Sequence, residues 1–273
     1  MGVCKDQSVK HLAKFGYNVI MHPREGVAPL MLIGERNGAR DLIGTLDQIV
    51  TGATSLLPKI VAGADAASIS GKKTDKLDLT LGIDILGAVI GALGGNKIGV
   101  TAGFNHVGTL EFTYAGVTSD GINVTAVGDY LASGTPRFDH PILTQYLEDP
   151  GNLYVITEVV HSNKLGVTAY AKNGVGVSVD VPVISNAVGG KVKVSSEAEN
   201  AGKVNFEGDK RLAFGFKAFE ISTVKVAGAR QLRVAPIKLG AIVFRAAPYS
   251  PRGAAPVMFP SLVIDLKEKQ VGK

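Results

Sequence analysis

The chain has no tryptophan, a single cysteine and only 6% aromatic residues among its 273. One thiol, Cys4, excludes an intramolecular disulfide framework and any cysteine-based metal site. The histidines His11, His22, His106, His140 and His161 stand apart, none at the spacing of a helical metal pair, and each reads as a surface or turn residue. There is no GxSxG elbow, no glycine loop followed by Lys and Ser or Thr, and no CxxC. Gly94-Gly95-Asn96-Lys97 lacks the rest of a phosphate loop, and Asp139-His140 has no nucleophile in recognisable context. These absences point away from an enzyme and from a bound cofactor. No apolar stretch follows Lys5, Lys10 and Lys14, so a secretory signal is not expected and the chain reads as one kept in the cytoplasm. The longest apolar run, Ile85 to Leu93, falls well short of the roughly 20 residues of a spanning helix and contains Gly87 and Gly91.

What is present is a chain 45% hydrophobic and 19% charged, enough for one large domain or two small ones with a real core. A net charge of +5 suits acidic partners such as nucleic acid or anionic lipid, and equally a plain basic surface. The 34 glycines suit strands, bulges and tight turns.

Four stretches alternate apolar with small or polar residues. Leu77, Leu79, Leu81, Ile83 and Ile85 share one parity against Asp78, Thr80, Gly82 and Asp84. From Ile98 the apolar set is Val100, Ala102, Phe104, Leu110, Phe112 and Tyr114, with the phase broken at His106 and Val107. Leu153 to Val160 opens a second pair, continued by the odd-numbered valines and alanines from Val167 to Val183. Val204, Phe206, Leu212, Phe214 and Phe216 mark the return strand. Each pattern predicts a strand with one buried face.

Between these runs, residues 7–15 read as a short helix, Tyr17–Met21 and Ala28–Gly34 as the two strands of a small hairpin-like start to a sheet, and Asn37-Gly38 as a turn. Leu42, Ile43, Leu46, Ile49 and Val50 have helical spacing behind a candidate N-cap, Asp41. Ile85 to Lys97 predicts a short helix closing at Gly94-Gly95, and Ile142 to Leu147 another after Pro141. The connection from Gly189 to Gly202 reads as solvated. Strand-like residues follow from Ala227 to Arg245. Ala246 to Pro256 is a proline-rich linker, and Val257 to Leu266 forms a last apolar patch.

LYVITEVV at 153–160, the alternating run after it and LAFGFKAFEI at 212–221 resemble, in order and spacing, the pore-forming domain of gasdermins. Residues 16–30, GYNVIMHPREGVAPL, are similar to the opening of bacterial gasdermins, a branch that carries a cysteine in its first few positions, here Cys4. The resemblance implies an α+β fold, a twisted, mostly antiparallel sheet with surrounding helices, that converts to membrane-spanning hairpins in an oligomeric ring. It implies a pore-forming domain over residues 1–252, with hairpins at about 76–116 and 165–219, and an autoinhibitory peptide over 253–273. A spanning strand needs roughly 9 to 11 residues with every donor paired, so insertion requires neighbouring subunits to close the sheet.

In that reading a caspase-like or trypsin-like protease cuts the linker. Exposed Arg252-Gly253 is the best bond and Arg245 the runner-up. Met258, Phe259, Leu262 and Ile264 would make the inhibitory contact. Cys4 is the expected palmitoylation site, because a terminal cysteine beside Lys5 is a plausible acceptor; Gly2 is a poor myristoylation site because Asp6 stands where Ser or Thr is wanted. The implied partners are the protease, membrane lipids and further copies of the chain, which would be a cytoplasmic monomer before cleavage and an inner-membrane oligomer after it. Two other classes remain: a basic β-sheet module binding nucleic acid, and a structural β-protein that assembles without cleavage. The first needs basic residues interleaved with exposed aromatics, whereas Phe104, Phe112, Phe214 and Phe216 share the apolar parity.

Overall fold

In the computed structural model, residues 16–236 are described, apart from 38, 68, 72, 75, 97, 149, 150, 198 and 199. The strands are β1 (Asn18–Arg24), β2 (Met31–Arg36), β3 (Ala39–Thr45), β4 (Val50–Thr51), β5 (Val61–Asp65), β6 (Leu77–Asp78), β7 (Thr109–Ala115), β8 (Thr118–Gly121), β9 (Thr135–Pro136), β10 (Asn152–Tyr170), β11 (Lys193–Glu197), β12 (Asn200–Val226) and β13 (Ala229–Pro236). The α-helices are α1 (Leu79–Ala92), α2 (Val124–Ser133), α3 (Thr144–Leu147) and α4 (Val181–Val188).

An 11-stranded sheet is organised on two long antiparallel strands, β10 of 19 residues and β12 of 27. Near its start β10 has β2 on its other side, with Leu153 facing Gly34; near its end it has β7 there, with Val167 facing Phe112. β8 takes the stretch between, Glu158 to His161. The register of β10 against β12 shifts three times between Ile156 and Lys164, the bends that bulges give a long strand. The last of these is fixed by the Ser162 hydroxyl, which accepts from the Lys164 amide at 2.9 Å and lies 2.6 Å from the Ala115 carbonyl.

The helix expected over residues 7–15 lies outside the described residues, and the two strands expected next form without pairing to each other, β1 lying on β12 and β2 on β10 and β3. β1 and β2 match the two predicted strands, and the hairpin from β2 to β3 turns at Asn37, whose φ is 53°. The helix expected over Asp41 to Val50 is instead β3 followed by a 3-10 turn at Leu46–Gln48. Pairing with β2 outweighs the helical spacing, and Leu46, Ile49 and Val50 still reach the core from the turn.

The alternating runs depart further. Only Leu77 and Asp78 of the first run pair as a strand; Asp78 then accepts from the Leu81 amide at 3.0 Å and caps α1. The same residues also satisfy a helical spacing, and Gly82, Ile85, Leu86, Val89 and Ile90 bury one face. Val100–Phe104 is a 3-10 turn, not a strand, and regular pairing begins only at Thr109, beyond the phase break at His106 and Val107. The third run leaves the sheet after Tyr170. Asp180 then accepts from the Val183 amide at 3.0 Å, and Pro182 in the first turn completes the start of α4. The short helix after Pro141 forms as α3, and β13 takes the strand-like residues after Ala227. Among the described residues no helix is long and apolar enough to cross a membrane.

Candidate functional site

Among the described residues the interior divides into four apolar clusters, and the largest has an unusual origin. Every one of its buried residues comes from 77–112 or 165–212. From the first segment come Ile85, Leu86, Val89, Ile90, Phe104 and Phe112; from the second come Val167, Ile184, Val188, Val204 and Phe206. The sheet face formed by β7, β10 and β12 presents Leu110, Phe112, Leu165, Val167, Val204 and Phe206, with α1 and α4 supplying the other side of the cluster. The partly buried Leu79, Leu81, Ile83 and Val181 pack on the same cluster.

Close approach ties the two segments together. A Cβ placed on Gly103 would stand 2.2 Å from Ile184 Cγ1, and one on Gly208 would stand 2.9 Å from Leu93 Cδ2. Both positions require glycine because the facing side chain occupies the space.

The other three clusters draw mainly on the rest of the chain. One joins Leu32, Leu46, Val127, Tyr130 and Ile221; another joins Ile20, Ile33, Ile156 and Phe216; a small one joins Tyr17, Ile69, Val160 and Phe214. Polar ties reinforce this base. Tyr17 donates to Glu158 at 2.5 Å, Lys217 reaches the same carboxylate at 2.7 Å, and Glu35 takes Arg40 at 2.8 Å and Tyr154 at 3.2 Å. Burial, then the neighbouring carboxylates, pushes the Tyr17 and Tyr154 phenols above their ordinary range.

On the opposite face of the β7–β10 pair, Glu111 holds Lys73 at 2.9 Å and lies 3.4 Å from the Tyr170 hydroxyl, while Lys76 sits 3.5 Å from the centre of the Tyr170 ring. Lys164 and Glu207 pair at 2.9 Å across β10 and β12. The paired parts of the two segments, β7 with the end of β10 and the start of β12, therefore carry one face apolar and one charged, as their parities predict.

His161, read from sequence as a surface or turn residue, is buried beside Val27 and Asp120. Its place at the end of the LYVITEVV run was the available signal, because that stretch of β10 is covered on both faces. His140 is a turn residue as expected, its Nδ1 accepting from the amides of Ile142 and Leu143. Among the described residues no group of His, Cys, Asp and Glu is arranged to hold a metal. Cys4, Arg245, Arg252, Gly253, Met258, Phe259, Leu262 and Ile264 lie outside the described residues. The sequence marked the two stretches that build the largest cluster, whereas the division of the remaining core into three had no local signal.

A model of the Bacterial Gasdermin Family matches residues 20–229. A gasdermin of Vitiosangium sp. is 38% identical over 221 residues, 81% of this chain and 83% of that protein. One from a Desulfuromonadales bacterium is 31% identical over 219 residues, 80% of this chain and 82% of the relative. The solved structure of a bacterial gasdermin from Bradyrhizobium tropiciagri aligns with a TM-score of 0.59 at 19% identity, covering 86% of this chain and 94% of that one. The α+β architecture with its mostly antiparallel sheet is thus the gasdermin fold, the fold of a class of pore-forming proteins rather than enzymes. The chain belongs to the bacterial gasdermin family.

Proposed function

We propose that this chain is a latent pore former, activated when a protease removes its C-terminal segment 253–273, that oligomerises in the cell inner membrane and permeabilises it. The resulting cell death would serve anti-phage defence. The observation that carries this reading is the largest apolar cluster, built wholly from the two segments whose alternation suits spanning hairpins. Withdrawing those stretches together would leave in place every buried residue of the cluster around Leu32 and Tyr130, and would take Ala213, Phe216 and Ala218 from the cluster around Ile33. Refolded as strands, they supply four runs, each with one apolar and one polar face.

The buried state of Phe104, Phe112, Phe214 and Phe216 favours this reading over a nucleic-acid platform, which needs its aromatics exposed. Dye release from anionic liposomes tests it. Protein cut after Arg252 is expected to release dye, and the intact chain is not. Leakage by intact protein, or none by cut protein, would overturn the proposal.

A further inference from the structure

Two short ladders in the folded protein sit at the roots of the two segments. In the first, Leu77 faces Leu110 and Asp78 faces Thr109. In the second, Leu165 faces Phe206, Gly166 faces Asn205, Val167 faces Val204 and Thr168 faces Lys203. Both are antiparallel; the first stops where the chain enters α1, and the second stops at Thr168, two residues before β10 ends.

We infer that these ladders are register nuclei: each membrane hairpin forms by continuing the pairing already present, so that the first turns at Leu93-Gly94 and the second at Ser185-Asn186. The inference rests on the pore-forming reading above and adds to it which residue faces which.

Continuing the first ladder residue by residue brings Ile83 opposite Phe104, Ile85 opposite Ala102 and Val89 opposite Ile98. All of these fall on one face, the face that Leu77 and Leu110 already share. The other face receives Asp78 with Thr109, Gly82 with Asn105 and Asp84 with Gly103. Gly94 is already at φ +89°, a conformation that tight hairpin turns require and that side chains other than glycine avoid.

The second ladder continues as well. Val177 comes opposite Val194, Val179 opposite Val192 and Val183 opposite Val188 on the apolar face. On the polar face Lys172 comes opposite Glu199 and Asp180 opposite Lys191, two pairs of opposite charge. Asn186 in the turn is among the residues that favour such a position.

A slip of one residue would move Leu77, Ile83, Ile85 and Val89 off the face they share with Leu110 and Phe104, so parity excludes it. A slip of two keeps parity but breaks both ladders. It would centre the first turn on Gly94-Gly95 and bring Ile83 opposite His106 instead of Phe104. One existing pairing must be given up in either case: β11 now lies along β12 with Val194 facing Phe206, and it must move to face Val177.

The inference is testable by disulfide mapping on vesicles. Full-length chains carrying Ile83→Cys with Phe104→Cys, or Ile83→Cys with His106→Cys, are nicked in the 246–256 linker through an inserted protease site, oxidised, and digested for mass spectrometry. Peptide masses separate these links from any made by Cys4. The 83–104 link is expected about tenfold more often than the 83–106 link, because only the former lies within disulfide range. Val177→Cys is expected to link to Val194→Cys by the same margin over Val192→Cys. A reversed preference, or a Val194→Cys, Phe206→Cys variant that keeps its link in the membrane-bound fraction, would overturn the shared register. Dye release is read in the same vesicles: absence of leakage from nicked protein without added cysteines overturns the pore-forming reading itself, whereas leakage with the shifted links overturns the register alone.

Discussion

The ring of Tyr114 lies flat against that of Phe214, with 4.0 Å between centroids and 3° between planes. Tyr114 ends β7 and packs on two clusters, the one built from the two segments and the small one that holds Phe214. Both rings lie in the stretches proposed to form hairpins, so the stack ties the root of the first hairpin to the root of the second.

Phe214→Ala is expected to destabilise the intact protein by about 3–5 kcal/mol, the usual cost of removing a buried phenylalanine. Urea denaturation of the uncut chain measures this. Tyr114→Phe keeps the ring and should leave the midpoint nearly unchanged, which separates stacking from the hydroxyl.

Gly91 tests how weak α1 is meant to be. It is exposed within the helix, and an added Cβ meets nothing within 4 Å. Gly91→Ala should strengthen the helix by about 1 kcal/mol and slow leakage by cut protein about fivefold if unwinding α1 limits the rate. An unchanged time course would mean that α1 unwinds after the slow step. Gly103→Ala should act oppositely. Its Cβ would collide with Ile184, costing the folded state about 1–3 kcal/mol, seen as a lower melting temperature.

His161 predicts a pH dependence. Burial is the main cause that lowers its pKa, with the Arg211 cation adding to it, while Asp120 and the Val27 carbonyl act in the other direction. The unfolded chain therefore takes up this proton first as pH falls. The stability that neutral His161 contributes is present above about pH 6.5 and is lost as pH drops toward the folded-state value. Melting temperatures between pH 7 and pH 5 should fall more steeply for the native chain than for His161→Gln.

Cys4→Ser should lower dye release by acylated, cut protein at equal dose, since a buried acyl chain contributes about 0.8 kcal/mol per methylene to membrane affinity. Protein purified without an acyl group is the control. Equal leakage by native and Cys4→Ser protein carrying its cellular modifications would remove the anchor role.

Much of the base could be read from sequence. LYVITEVV, the Asn37 turn and the return strand with Phe214 and Phe216 each satisfy one local pattern and have one structural outcome. Residues 77–92 satisfy two. Leu77, Leu79, Leu81, Ile83 and Ile85 alternate as a strand does, while Ile85, Leu86, Val89 and Ile90 recur as one helix face does. The strand reading was displaced in this state because Asp78 caps a helix and the sheet face over β10 needs a cover. Residues 171–183 are similar: the valines alternate, yet Asp180 and Pro182 start a helix at their end. His161 and the division of the remaining core into three depend on distant packing, which no local pattern carries.

Among the described residues, the cover over β7, β10 and β12 is made of the same residues that would lengthen those strands. In the proposed conversion, the greasy side chains of α1 and α4 leave one another for acyl chains that are about as apolar as leucine. Apolar contact is exchanged, not gained, and the two states differ far less in hydrophobic energy than their shapes suggest. A conversion so balanced would be governed by whatever small interaction tips it, which is how loss of the short segment proposed to restrain it would decide the fate of a whole chain.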